Sequence, residues 1–148
     1  GDERMLSQVA GDWFLNSNNA ERQLTASMLG TLPPFRTVMV AGRKIGFVHA
    51  DVPEGVAWSE FTAALTAKDQ NAIQSALWSR ARWQASIGSG LSGHDLPSVE
   101  GVDWVFVGHS PVDKPTIVGN VVFMDCGLWR GNANGIICLE DWLAEHSV

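Results

Sequence analysis

The 148-residue chain has no tyrosine, only two cysteines, and 10 Lys and Arg against 16 Asp and Glu. Each shortage excludes a class of protein. With a formal charge of −6 and no Lys/Arg cluster, the chain lacks the basic footprint on which phosphate-backbone binding rests, so nucleic acid is not an expected partner. Cys126 and Cys138 have no CxxC spacing, which argues against a disulfide framework or zinc knuckle and reads as two reduced thiols. No signal-like apolar region opens the chain, and no apolar stretch approaches the ~20 residues needed to span a bilayer. A cytoplasmic protein without a membrane partner is therefore expected. The seven tryptophans follow no fixed period, which excludes a repeat array and casts most of them as core anchors or pocket walls.

What is present fits one domain over residues 1–148, long enough to bury a core. Met5, Leu6, Val9, Trp13 and Phe14 recur at helical spacing and predict a first helix over Glu3–Phe14, stopped by the polar run Asn16-Ser17-Asn18-Asn19. A second helix is expected over Glu21–Leu29, ahead of Pro33-Pro34. Thr37–Ala41 and Lys44–Ala50 read as two strands of a hairpin turned at Gly42-Arg43. Trp58–Leu65 and Asp69–Trp83 carry helical periodicity, the second with Ile73, Leu77 and Trp78 on one face and with Arg80 and Arg82 in its last turns. The Gly/Ser-rich stretch Ile87–Gly93 is expected to be a surface loop. Strands follow at Trp104–Val107, Thr116–Val118, Val121–Asp125 and Gly135–Leu139, with Gly119-Asn120 a hairpin turn and Asp141–Glu145 a terminal helical turn. The expected fold class is α/β, a layered mixed β-sheet with flanking helices.

Two histidines, His49 and His109, fall at the ends of predicted strands and are followed by turn residues. A rigid sheet presents imidazoles to a metal or substrate at its rim in this way, although a single histidine after a strand is more often a structural hydrogen-bonder to loop backbone. Arg80 alone reads as a helix-end arginine that complements the dipole. His94, in a Gly/Ser loop, and His146, at the terminus, are expected to be exposed and without function.

Four segments occur in order: Val-His-Ala-Asp-Val-Pro at 48–53, Leu-Trp-Ser-Arg at 77–80, Val-Gly-His-Ser-Pro-Val at 107–112 and Gly-Asn-Val-Val-Phe-Met-Asp-Cys-Gly at 119–127. Together they resemble the C-terminal half of the phosphoprotein phosphatase family of calcineurin-like metallophosphoesterases, of the phage lambda and bacterial serine/threonine phosphatase type. The resemblance covers nearly the whole chain. It implies that His49 and His109 ligate one ion of a binuclear site and that Arg80 binds the substrate phosphate in a catalytic role. It makes Asp51 a turn or supporting carboxylate and Asp125 a structural one. Cys126 departs from the Thr or Ser usual at its position. Its thiol is either an oxidation target or an inert buried group.

The chemistry implied is hydrolysis of phosphomonoesters, chiefly of phosphoserine and phosphothreonine in proteins, by metal-activated water. A guanidinium suits such a site because it matches tetrahedral phosphate bidentately and never loses its charge. The family's three earlier segments, D-x-H, G-D-x-x-D-R-G and G-N-H-[DE], are not found in the chain. Two imidazoles do not fill a coordination sphere of four to six ligands, so the manganese, iron or zinc pair is expected only when the N-terminal segment is supplied. Expected partners are a phosphorylated protein or small phosphoester, the N-terminal fragment, or a second copy bound through an uncovered sheet edge. Two alternatives stay open: a non-catalytic or degenerate fragment acting as a binding module or dimer, and a dinucleoside polyphosphate hydrolase.

Overall fold

A computed structural model of the chain describes residues 12–88, 96–127 and 135–146. The chain divides into two units, Gly1–Pro33 and Pro34–Val148. In the first, helix α1 (Asp12–Asn16) ends at the expected polar run, and residues 3–11 of the expected first helix lie outside the described residues. Helix α2 (Asn19–Gly30) starts at a reciprocal cap: the Asn18 carboxamide accepts the Glu21 N–H at 3.0 Å, and the Glu21 carboxylate accepts the Asn18 N–H at 2.9 Å. Arg22 ties the two helices by donating to the carbonyls of Leu15 and Ser17.

The second unit is built on a five-stranded mixed sheet of order β1-β2-β3-β5-β4, with β1 (Phe35–Val40), β2 (Arg43–Val48), β3 (Trp104–Pro111), β4 (Thr116–Val118) and β5 (Val121–Asp125). The central strands β2, β3 and β5 run parallel, and the edges β1 and β4 pair antiparallel to their neighbours. The first hairpin turns on Ala41-Gly42 rather than Gly42-Arg43: Val40 pairs with Arg43, and both turn residues have positive φ, 49° and 77°. A two-residue turn of that hand matches strand twist and suits glycine at its second position. The expected turn at Gly119-Asn120 is present, with Val118 paired to Val121.

Three helices, α3 (Trp58–Thr66), α4 (Gln70–Trp78) and α5 (Ala81–Gly88), connect β2 to β3. Trp58, Phe61 and Leu65 of α3 and Ala72 and Ala76 of α4 join Val48, Val105, Val107, Val121 and Phe123 in the core on one sheet face. The continuous helix expected over Asp69–Trp83 is broken at Ser79, whose ψ of 139° is extended backbone. Its buried face is the one with Ala72 and Ala76, while Leu77 and Trp78 are exposed. On the opposite sheet face, Ile45, Phe106 and Val122 pack with Leu143 of helix α6 (Leu139–Glu145). No strand forms over Gly135–Leu139; Ile137 and Leu139 pack against that same face as coil and helix start. A short apolar run has no period long enough to distinguish the two outcomes.

Among the described residues the protein is thus mixed α/β, with one five-stranded sheet and six helices. None of these helices is long and apolar enough to cross a membrane.

Candidate functional site

Parallel β2 and β3 lie side by side, so their carboxyl ends open on the same rim of the sheet, where α/β folds place their ligands. His49 follows β2 directly, and its carbonyl accepts the Gly108 N–H at 2.8 Å, which ties the two strand ends together. Beyond Val107 the β3 strand carries two extra residues before it pairs again at Pro111 with Asp125. His109 sits inside this bulge with a φ of 61°. A non-glycine residue there costs about 1 kcal/mol or more, a strain that the bulge holds and that aims the imidazole toward β2.

The three residues singled out in the sequence come together. The His49 and His109 rings have centroids 5.1 Å apart. The Arg80 Nη2 donates to the His109 carbonyl at 3.2 Å. Trp78, read from the sequence as part of a helix face and of the Leu-Trp-Ser-Arg segment, adds a wall: its ring stands edge-on to His109 at a centroid distance of 5.7 Å. Burial first, and then the charges of Arg80 and His49, hold the His109 imidazole below its usual range, against the opposing pull of the Trp78 backbone and Asp125. A neutral imidazole keeps the lone pair that a metal requires.

The donor chemistry fits a cation in part. Two imidazoles that each place a nitrogen about 2.0–2.1 Å from one ion have ring centroids roughly 5 Å apart, which is the separation seen. Among the described residues, however, no group of three or more His, Cys, Asp or Glu side chains is placed to hold a metal ion.

Behind the rim Asp51, which the resemblance makes a turn or supporting carboxylate, is paired with Arg82, a partner the sequence did not single out. Asp51 and Arg82 are 2% and 7% exposed, and Arg82 Nε lies 3.4 Å from Asp51 Oδ1. Asp51 also accepts the Val52 N–H at 2.8 Å and the Arg82 N–H at 3.1 Å. Burial pushes its carboxyl above the usual carboxylate range in spite of these donors. Arg82 is in the first turn of α5, not the last turn of a longer helix, and the one available signal is its spacing from Arg80 across a break that periodicity does not show.

The remaining candidates are peripheral to this cluster. Asp125 bonds locally, accepting the Gly127 N–H at 3.3 Å. Cys126 is buried and its thiol is pushed up by burial and by the charges of Asp125 and Asp113, which favours the inert reading. His146 is not fully exposed: its ring stacks on Trp142 at 3.8 Å, with Nδ1 2.9 Å from the Trp142 carbonyl oxygen. His94 lies outside the described residues.

Set against models of known protein families and against curated proteins, the chain matches none.

Proposed function

We propose that this cluster belongs to a metal-dependent phosphomonoesterase of the phosphoprotein phosphatase kind, acting on phosphoserine and phosphothreonine in proteins. One observation carries the reading: His49, Arg80 and His109, from three separated stretches, meet at one sheet rim. His49 and His109 would hold one side of a manganese, iron or zinc ion, with further ligands supplied from outside the described residues. A bound divalent ion supplies Lewis acidity and an activated water. Arg80 is exposed and has donors to spare beyond the one spent on His109, so it can clamp phosphate oxygens in a fixed fork. Trp78 packs edge-on against the His109 ring and would limit how the imidazole turns at the rim. On this reading the mixed sheet with its helices is the C-terminal half of a calcineurin-like metallophosphatase fold.

A non-catalytic binding module is favoured by a different observation, the exposed apolar side chains Leu24, Met28 and Leu29 of α2. The two readings separate when the chain is combined with a polypeptide carrying the D-x-H, G-D-x-x-D-R-G and G-N-H-[DE] segments, in manganese. Phosphate release from a phosphoserine peptide, lost on Arg80→Ala or His109→Ala, is expected. Faster cleavage of diadenosine tetraphosphate would assign the dinucleotide activity instead. Failure on phosphopeptide, aryl phosphate and dinucleotide alike, with no metal retained through gel filtration, would leave the binding module.

A further inference from the structure

Arg80 stands in the break between α4 and α5, where a guanidinium has no helix to hold its direction. The loop bearing His49 grips the chain on both sides of that break. Toward α4, the Ala50 N–H donates to the Ala76 carbonyl at 2.8 Å. Toward α5, Asp51 accepts the Arg82 N–H at 3.1 Å and so caps the new helix from 31 positions away. Ser79 contributes the local share by accepting the Ala81 N–H at 3.2 Å. Arg82 then extends the grip to the segment ahead of β3, donating to the Pro97 carbonyl at 2.6 Å.

Stability alone does not account for a buried ion pair here. Such pairs recover little net energy after desolvation, and apolar replacements often do as well. This one is also imperfect: Nε sits 3.4 Å from its carboxylate and makes no hydrogen bond among the described residues. A cavity of about 60 Å³ lies beside it, lined in part by Asp51, Glu54, Arg82 and Pro97. The pair does fasten the start of α5 to the loop that carries His49, two residues from the imidazole and two from Arg80.

We infer that Asp51, acting through its pairing with Arg82, is a positioning residue that sets the direction of the Arg80 guanidinium relative to His49. The inference rests on the phosphate-site reading above. Loosening the pair leaves Arg80 chemically intact but lets its fork swing, so phosphate binding weakens without loss of any group that touches phosphate.

The test is a titration of the full chain with inorganic phosphate, followed through the Arg80 Nε–Hε resonance and assigned by its loss in Arg80→Lys. Asp51→Asn is expected to shift that resonance before phosphate is added and to weaken binding about three- to tenfold, the scale of one misdirected charge-assisted hydrogen bond. In an Arg80→Lys background the same substitution should have no further effect on phosphate. Arg82→Lys keeps a cation but loses the planar fork, and it provides the same readout if Asp51→Asn does not fold. Wild-type affinity and an unmoved Arg80 resonance in the folded variants would overturn the inference alone. So would an equal loss of affinity in the Arg80→Lys background. A wild-type chain that binds no phosphate would overturn the functional reading and the inference together.

Discussion

Asp103 accepts the Lys44 N–H at 2.7 Å and a hydrogen bond from Arg43 at 3.2 Å. The first of these, aided by the second, holds its carboxyl below the ordinary 3.8. The folded chain thus favours the ionised form more than the unfolded chain does. This contribution to stability is fully present about one pH unit or more above 3.8, declines from there, and is lost as pH falls through the lower folded value. The stability difference between wild type and Asp103→Ala should therefore be constant from pH 7 to about 5 and shrink below that, as followed by urea unfolding at stepped pH. The legibility of other single residues divides along the same line between local and distant partners. His49 and His109 each stand in a short stretch whose turn chemistry marks the position, and Arg80 is marked only by the resemblance of its Leu-Trp-Ser-Arg segment. Arg82 has no such mark, because its burial is decided by Asp51, which lies far off in the chain.

Elements set by local chemistry were legible; those set from a distance were not. The turns at Ala41-Gly42 and Gly119-Asn120 need positive φ at glycine, and a hairpin is readable from that requirement even with its exact register one residue off. The α4–α5 break is not readable, because apolar spacing runs through it and the carboxylate that caps α5 comes from the loop after β2. Gly46 belongs to the distant class as well. A Cβ at this position would fall 2.7 Å from Cζ2 of Trp58. The indole cannot easily retreat, since its Nε1 donates to Thr37 Oγ1 at 2.9 Å and its backbone N–H to the Glu100 carbonyl at 2.9 Å. Gly46→Ala should cost about 1–3 kcal/mol by overpacking, seen as a lower urea midpoint with an unchanged slope.

At the scale of the Pro34–Val148 unit, the described residues cover the two sheet faces unequally. Among the described residues, helices α3, α4 and α5 serve one face, while the other relies on α6 and the residues just ahead of it. Leu143 is the buried side chain of α6, 7% exposed, and it packs with Ile45, Phe106 and Val122. Leu143→Ala should cost about 2–4 kcal/mol, measured by chemical denaturation, because a cavity against a sheet relaxes poorly.

The parallel pairing of β2 with β3 has a kinetic side. Lys44 and Asp103, 59 positions apart, pair at the start of those strands, so joining β2 to β3 closes a long excursion of chain. Closing so long an excursion of chain is entropically costly and tends to come late. Proximity of the two imidazoles therefore reports on that long-range pairing: a probe that senses them as a pair would stay silent until β2 and β3 have joined.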